Sequence, residues 1–175
     1  MPQFNEYSNL VRVAIRNPED AFVNQEKLAQ EWQPLRFHAM PDLEKSHAEF
    51  ALFRQCLLTS GIEVIDLPAN DSLTIDSIYP RDNVLVSPKG LILCNMGRAS
   101  RTPEAAVNVA VYEALGHKIA GQIKAPGTLE GGDFIWIDEQ HAAVGLGPRT
   151  NKEGVKQLQA ILGDEVDLHV VDLPD

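Results

Sequence analysis

The apolar positions near the start of the chain form two strand-like runs on either side of a helical pattern. Val11–Ile15 and Ile62–Leu67 are short and mostly apolar, which is typical of strands. Between them, Asp42–Leu58 carries apolar residues at the spacing of one helix face: Leu43, Phe50, Phe53 and Leu57. We therefore predict a strand, a helix and a second strand in this part of the chain.

A hairpin, a helix and a strand are predicted next. Asn83–Val86 and Leu91–Asn95 are apolar runs joined by a Pro-Lys-Gly turn, which indicates a hairpin. A helix follows, with Thr102 as its capping hydroxyl and Gly116 just past its end. His117–Gln122 predicts the closing strand.

The same order of elements then recurs. Phe134–Ile137 and His141–Val144 predict a second hairpin, and a helix capped by Thr150-Asn151 ends at Gly163. Val166–Leu173 predicts another closing strand. Hence the pattern indicates a repeated hairpin-helix-strand unit.

We predict three such units, at about 8–68, 83–122 and 133–174, within a single domain of residues 1–175. The first has an elaborated connection, Asn17–Pro41. Periods of about 50 residues are typical of radial or stacked arrays, in which equivalent loops gather on one face. An array that stops after its third unit exposes an unpaired face, which favours a partner or self-association.

The charge balance excludes several classes of partner. There are 25 acidic against 15 basic residues, with a formal net charge of -10. Such a chain repels phosphate backbones and anionic lipid, so nucleic acid and membranes are excluded as partners, whereas a small cation is attracted. Cys56 and Cys94 form no CxxC pair, which argues against a disulfide framework or a thiolate zinc site. We predict a cytoplasmic protein without metal or cofactor.

Repeated acids and repeated arginines are the candidate binding residues. Asp82 and Glu130 fall at equivalent positions of two units, and glycines follow Glu130 directly. Arg101 and Arg149 are likewise equivalent, just before the two predicted helices. Two carboxylates can hold a planar cation, and arginines can hold a carboxylate. The residues thus indicate an amino-acid-like ligand with a basic side chain, while solvated turns and surface arginines remain the alternative.

A nucleophile is hard to identify. Both cysteines lie in apolar surroundings and are predicted to be buried structural residues. The five histidines have no recurrent partner and are predicted to be structural or at the surface: His38, His47, His117, His141 and His169. Signatures of zinc proteases, serine hydrolases and phosphate-binding loops do not occur in the sequence.

Four short segments, in this order, resemble the amidinotransferase superfamily, especially dimethylarginine dimethylaminohydrolase and the arginine deiminases. They are Asp76–Asp82, Ser100-Arg101, Leu129–Asp133 and Pro148–Asn151. The fold that this resemblance implies is an α/β propeller of the pentein type, with five ββαβ blades around a central active site. The present chain corresponds to about three of them.

The resemblance also implies a reaction. A cysteine attacks the guanidinium carbon, a histidine transfers protons, and water releases citrulline from the covalent intermediate. Asp82 and Glu130 would hold the guanidinium nitrogens as catalytic residues, and Arg101 and Arg149 would hold the α-carboxylate of arginine or a methylated arginine. No cofactor or metal is implied.

Three further features come from the resemblance. Asp76 would bind the α-amino group, Tyr79 would pack beside the guanidinium, and part of Asn17–Gln30 would act as a lid. Arg81 stands where the dimethylarginine enzymes carry a second acid, whereas the arginine deiminases have an Arg-Asp pair there.

The family's catalytic histidine and cysteine are expected beyond Asp175, so we expect this chain to be inactive alone. Two alternatives stay open. One is an amidinotransferase of the same superfamily, in which an amine accepts the amidino group instead of water. The other is a binding module that recognises an arginine-like ligand without chemistry.

Overall fold

The computed structural model describes residues 5–174, which divide into two compact units. One unit comprises residues 10–80, and the other comprises residues 81–174 together with residues 5–9. Among the described residues, no helix is long and apolar enough to cross a membrane.

The 10–80 unit contains one sheet of two parallel strands, β1 (Arg12–Ile15) and β2 (Glu63–Asp66). The connection between them forms α1 (Pro18–Ala21), α2 (Gln25–Glu31) and α3 (Leu43–Thr59). The two strands and the long helix therefore lie where the sequence predicts them. The hairpin expected of the first repeat unit is not found in the described part of this unit, whose two strands pair in parallel.

The connection 17–41 is folded around a small apolar core that it shares with Ile75. Its buried members are Ala21, Phe22, Leu28, Leu35 and Ile75. Helices of four and seven residues are too short to be stable alone, so this burial is what holds α1 and α2 in place. A lid role for Asn17–Gln30 stays a prediction.

Helix α3 begins as predicted, because the Asp42 side chain accepts a hydrogen bond from the backbone N–H of Lys45 at 2.9 Å. Its predicted inner face is only partly buried: Leu57 is buried, whereas Phe53 is 51% exposed. The prediction of a buried Cys56 is wrong, since this residue is exposed. Cys56 directly precedes Leu57, and consecutive residues of a helix point in different directions.

The 81–174 unit contains two sheets with the same topology. The first consists of β3 (Val84–Ser87), β4 (Gly90–Leu93) and, after helix α4 (Glu104–Ala114), β5 (Ile119–Gln122). Strands β3 and β4 form an antiparallel hairpin, and β5 adds parallel to β4. The predicted hairpin, helix and closing strand are confirmed here.

The second sheet repeats this arrangement. Its strands are β6 (Phe134–Trp136), β7 (His141–Leu146) and β8 (Asp167–Asp172), with α5 (Lys152–Leu162) between the last two. The β6–β7 pair is antiparallel and the β7–β8 pair is parallel. One apolar core joins both sheets and α5, and its most buried members include Leu85, Ile92, Phe134, Val144 and Leu158. The sequence repeat is therefore also a structural repeat.

The helix caps differ between the two copies. The Asn151 side chain caps α5 by accepting from the backbone N–H of Gly154 at 2.8 Å, as predicted. The predicted cap at Thr102 is wrong: the residue before α4 is Pro103, and it makes no side-chain cap bond. Proline fixes a helical backbone without supplying an acceptor, so α4 starts without the help of a hydroxyl.

Candidate functional site

Asp82 and Arg101 form the first of two equivalent ion pairs. Asp82 Oδ2 lies 2.5 Å from Arg101 Nη1, and the Arg101 side chain is only 3% exposed. Glu104, at the start of α4, accepts two further bonds from Arg101, at 2.6 Å from Nε and 2.8 Å from Nη2. Burial alone would lower the pKa of Arg101, but the hydrogen bonds and charges of Glu104 and Asp82 outweigh it and raise that pKa. Arg101 is therefore a fixed cation.

Buried amides complete the environment of Glu104. Asn83 Nδ2 donates to Glu104 Oε2 at 3.1 Å, and Asn108 Nδ2 donates to Asn83 Oδ1 at 3.2 Å. All these side chains are buried, where an unpaired polar group would be costly. The chain of bonds gives Arg101 one orientation, and Arg101 in turn orients Asp82.

Glu130 and Arg149 form the second ion pair. Glu130 Oε2 lies 2.9 Å from Arg149 Nη1, and the backbone N–H of Arg98 donates to Glu130 Oε1 at 3.3 Å. In both pairs the acid precedes its arginine by 19 residues, as the repeat requires. Their exposure differs, however: the Arg149 side chain is 49% exposed, whereas Arg101 is buried. The hydrogen bond that Arg149 donates to the Glu130 carboxylate raises the pKa of Arg149.

The Thr150 side chain fixes the Glu130 segment by two hydrogen bonds. Its hydroxyl donates to Asp133 Oδ2 at 2.6 Å and accepts from the backbone N–H of Glu130 at 3.2 Å. Thr150 is fully buried, so its bond to the Glu130 N–H is shielded from water, whereas its bond to Asp133 is partly buried. The hydroxyl predicted to cap a helix thus fixes the acid-bearing loop instead.

The glycines after Glu130 allow the two acid-bearing segments to meet. A Cβ added at Gly132 would lie 2.7 Å from Asp82 Oδ1, and one added at Gly131 would collide with the backbone oxygen of Arg81. A larger residue at position 131 would push the two segments apart, whereas one at position 132 would displace the Asp82 carboxylate. The structure therefore brings the segments of Asp82 and Glu130 together, as the repeat predicts.

In the 10–80 unit, Asp76 and Tyr79 lie on a short 3₁₀ turn, Ile75–Ile78, and at its end. Asp76 is buried and Tyr79 is exposed. Glu31 of α2 holds the start of the turn by accepting from the backbone N–H of Ile75 at 2.8 Å, and Lys27 pairs with Glu31 at 2.6 Å. The roles of Asp76 and Tyr79 toward a substrate stay predictions.

A buried arginine holds the other end of that turn. Arg16 is fully buried and donates Nε to the backbone oxygen of Ser77 at 3.2 Å and Nη1 to that of Pro68. A lone arginine next to a strand gives no signal of this function in the sequence. Glu104, by contrast, could have been found, because it follows Arg101 at the i+3 spacing of helical ion pairs.

The two cysteines of the chain lie in different units and in different environments. Burial, together with the nearby charge of Asp82, raises the pKa of the Cys94 thiol, which stays protonated at neutral pH. Cys56 lies exposed on α3 of the 10–80 unit. Among residues 5–174, no group of three or more His, Cys, Asp or Glu side chains could hold a metal ion.

Comparison with known proteins identifies the family. A family model described as arginine deiminase matches residues 74–171, so the chain belongs to this family, within the amidinotransferase superfamily. A relative from Pseudomonas aeruginosa, N(G),N(G)-dimethylarginine dimethylaminohydrolase, is 30% identical over 122 residues, which cover 70% of this chain and 47% of that protein. The family is one of guanidino-group hydrolases or amidinotransferases.

Solved structures agree with the fold. A Pseudomonas aeruginosa dimethylarginine dimethylaminohydrolase, a cysteine-to-serine variant in complex with citrulline, has a TM-score of 0.77 at 25% identity and covers 94% of this chain and 62% of that one. The inosamine-phosphate amidinotransferase of Streptomyces griseus has a TM-score of 0.70 at 18% identity over 95% and 61% of the two chains, and shows the fold alone. The predicted partial α/β propeller of the pentein type is thereby confirmed.

The chain spans about half the length of the curated relatives it matches.

Proposed function

We propose that the whole protein hydrolyses a guanidinium C–N bond of arginine or a methylated arginine, releasing citrulline, and that this chain binds the guanidinium. The observation that supports the proposal is the pair of equivalent ion pairs, Asp82–Arg101 and Glu130–Arg149, whose acid-bearing segments meet at Gly131-Gly132. Two carboxylates on adjoining segments suit a planar cation with donors on several edges.

The two arginines have different parts in this proposal. Arg149 is half-exposed and can turn from Glu130 to the α-carboxylate of a substrate, whose guanidinium then takes its place on Glu130. Arg101 is buried between Glu104 and Asp82, so we assign it the positioning of Asp82. A substrate-carboxylate role for Arg101, expected from the family, stays a prediction.

The carboxylates act on the substrate in two ways. They favour its cationic form, which makes the guanidinium carbon more open to attack, and they fix its plane relative to the nucleophile. We assign no residue as the nucleophilic cysteine or as the proton-transferring histidine; burial raises the pKa of the Cys94 thiol, and Cys56 lies exposed on α3. We expect no turnover from this chain by itself.

Ligand titration of the chain tests the proposal. L-arginine and N(G),N(G)-dimethylarginine are titrated by calorimetry into the wild-type chain and into Asp82→Asn, Glu130→Gln and the control Asp71→Asn, which alters an exposed acid of the 10–80 unit. We expect binding that the two site variants lose and the control keeps. Equal binding by all four chains would contradict the proposal, as would thiol-dependent citrulline release by this chain.

A binding module without chemistry is the second candidate, because the two ion pairs can hold an arginine-like ligand without a nucleophile. Citrulline release by the whole protein would exclude it. Location in the cytoplasm and self-association through the outer face of the third unit stay predictions.

A further inference from the structure

Arg81 contacts both ends of the turn that follows Glu130. Its Nη1 donates to the backbone oxygen of Gly131, and its Nη2 donates to that of Phe134 at 2.9 Å. Residues Gly131–Asp133 form a 3₁₀ turn, which the N–H of Phe134 closes by donating to the same oxygen of Gly131. The guanidinium therefore spans the whole turn between Glu130 and strand β6.

The backbone of Arg81 contacts the same turn. A Cβ at Gly131 would collide with the Arg81 carbonyl, so the main chains are already in contact there. The next residue is Asp82, whose carboxylate reaches Gly132. One residue thus ties the Asp82 segment to the Glu130 segment through its main chain and its side chain together.

Glu6 supplies the counter-charge. Its Oε2 lies 3.2 Å from Arg81 Nη2, and its side chain is 23% exposed, against 46% for the side chain of Arg81. The neighbouring Tyr7 ring packs edge-on against Trp136 of β6, with centroids 6.5 Å apart, which fixes this segment on the unit. Burial raises the pKa of Glu6, while the charge and hydrogen bond of Arg81 oppose that shift. An uncompensated cation at Arg81 would repel a guanidinium bound nearby.

We propose that Arg81 is a positioning residue that sets the separation of the Asp82 and Glu130 carboxylates, with Glu6 as its counter-ion, and that it does not contact the substrate. The inference rests on the proposed function, because it assigns Arg81 to the geometry of that same guanidinium site. In this proposal Arg81 favours a planar, forked cation because it fixes the spacing of the Asp82 and Glu130 carboxylates.

Two readouts test the inference, and the first needs no ligand. Amide hydrogen exchange of Gly131–Phe134 is measured by NMR in Arg81→Met, Arg81→Lys, Glu6→Gln and the control Arg12→Met, which removes an exposed arginine paired with Glu63. Exchange in Arg81→Met should be about tenfold faster, since two charge-assisted bonds are lost. Arg81→Lys should be intermediate, because an ammonium is a point charge without a planar fork, and the control should be unchanged.

The second readout is the ratio of the affinities for L-arginine and L-lysine. Lysine carries a compact ammonium that requires no fixed spacing of two carboxylates. Loss of the brace, by which we mean the bonds of Arg81 to Gly131 and Phe134, should therefore weaken the binding of arginine more than that of lysine. We expect Arg81→Met to lower the arginine-to-lysine ratio about tenfold and Glu6→Gln to lower it less. General destabilisation would weaken both ligands alike and leave the ratio unchanged.

Each outcome decides the question. Unchanged exchange in Arg81→Met overturns the brace, and so does an equal loss of both ligands. If the wild-type chain binds neither amino acid, the proposed function fails, and the exchange data alone decide the brace. If Arg81→Met does not fold, Arg81→Lys and Glu6→Gln carry the same comparison.

Discussion

At the scale of single residues, the site depends on a buried cation whose bonds are supplied by two acids. Arg101 is bonded to Glu104 and Asp82, and the partners of Glu104 include Asn83. Charges removed from water are tolerated only with such complete bonding. The network therefore gives Glu104 a part in positioning Asp82, through the orientation that it gives to Arg101.

Removing Glu104 should leave a buried, partly unpaired cation. We expect Glu104→Ala to lower the free energy of unfolding by about 3–5 kcal/mol, the usual effect of breaking a buried ion pair. Urea unfolding measures this change. Glu113→Ala, on an exposed position of the same helix, is the matched control and should have little effect. Similar losses in both variants would contradict the proposed network.

At the scale of elements, the two ββαβ copies share strand order but place their helices by different contacts. Helix α5 approaches the Glu130 loop so closely that a Cβ at Gly154 would overlap the backbone oxygen of Thr128. The Asn151 cap strengthens this contact, because its side chain also accepts from the Thr128 N–H at 3.1 Å. The start of α5 and the acid-bearing loop are thus one rigid piece.

Replacing Gly154 tests this contact. Within an ordinary helix, Gly→Ala stabilises by roughly 0.5–1 kcal/mol. Here we expect Gly154→Ala to destabilise the unit instead, by about 1–3 kcal/mol, because the added methyl forces α5 away from the loop. Thermal unfolding gives the sign. Gly147→Ala is the control, since its Cβ would meet only ordinary contacts with Leu173, starting at 3.5 Å.

At the scale of the whole molecule, the order of residues along the chain does not match the division into units. Residues 5–9 precede β1 but belong with residues 81–174. Tyr7 lies against Trp136, and Glu6 pairs with Arg81. The first residues described therefore support the unit that contains Asp82 and Glu130, and a hairpin predicted for the chain's first repeat does not form with them.

Tyr7→Ala should therefore affect a sheet that is distant in sequence. Loss of the aromatic contact, with the ring's burial, should weaken β6 by about 1–2 kcal/mol and speed amide exchange of Phe134–Trp136. Exchange of Arg12–Ile15, only a few residues away in the chain, should not change. A larger effect on β1 than on β6 would show that the segment belongs with the 10–80 unit.

The sequence by itself determined the repeated topology and the equivalence of its site residues. Alternating apolar runs and helical spacing are local signals, and they placed β3 to β8 and their two helices correctly. Alignment of the repeats also showed that Asp82 is equivalent to Glu130 and Arg101 to Arg149. In the structure each acid pairs with the arginine 19 residues after it. Such patterns can be detected in the sequence because each is set by the spacing of residues along the chain.

Only the tertiary structure decided what each polar side chain contacts. In the structure Arg101 is buried, whereas the equivalent Arg149 is half-exposed. The Thr150 hydroxyl, which was predicted to cap a helix, donates to Asp133 instead, and Cys56 is exposed. Arg81 finds its partners about 50 residues away, at backbone carbonyls that carry no sequence signal. Burial and long-range hydrogen bonds depend on how segments pack, and equivalent positions of a repeat can therefore have different environments.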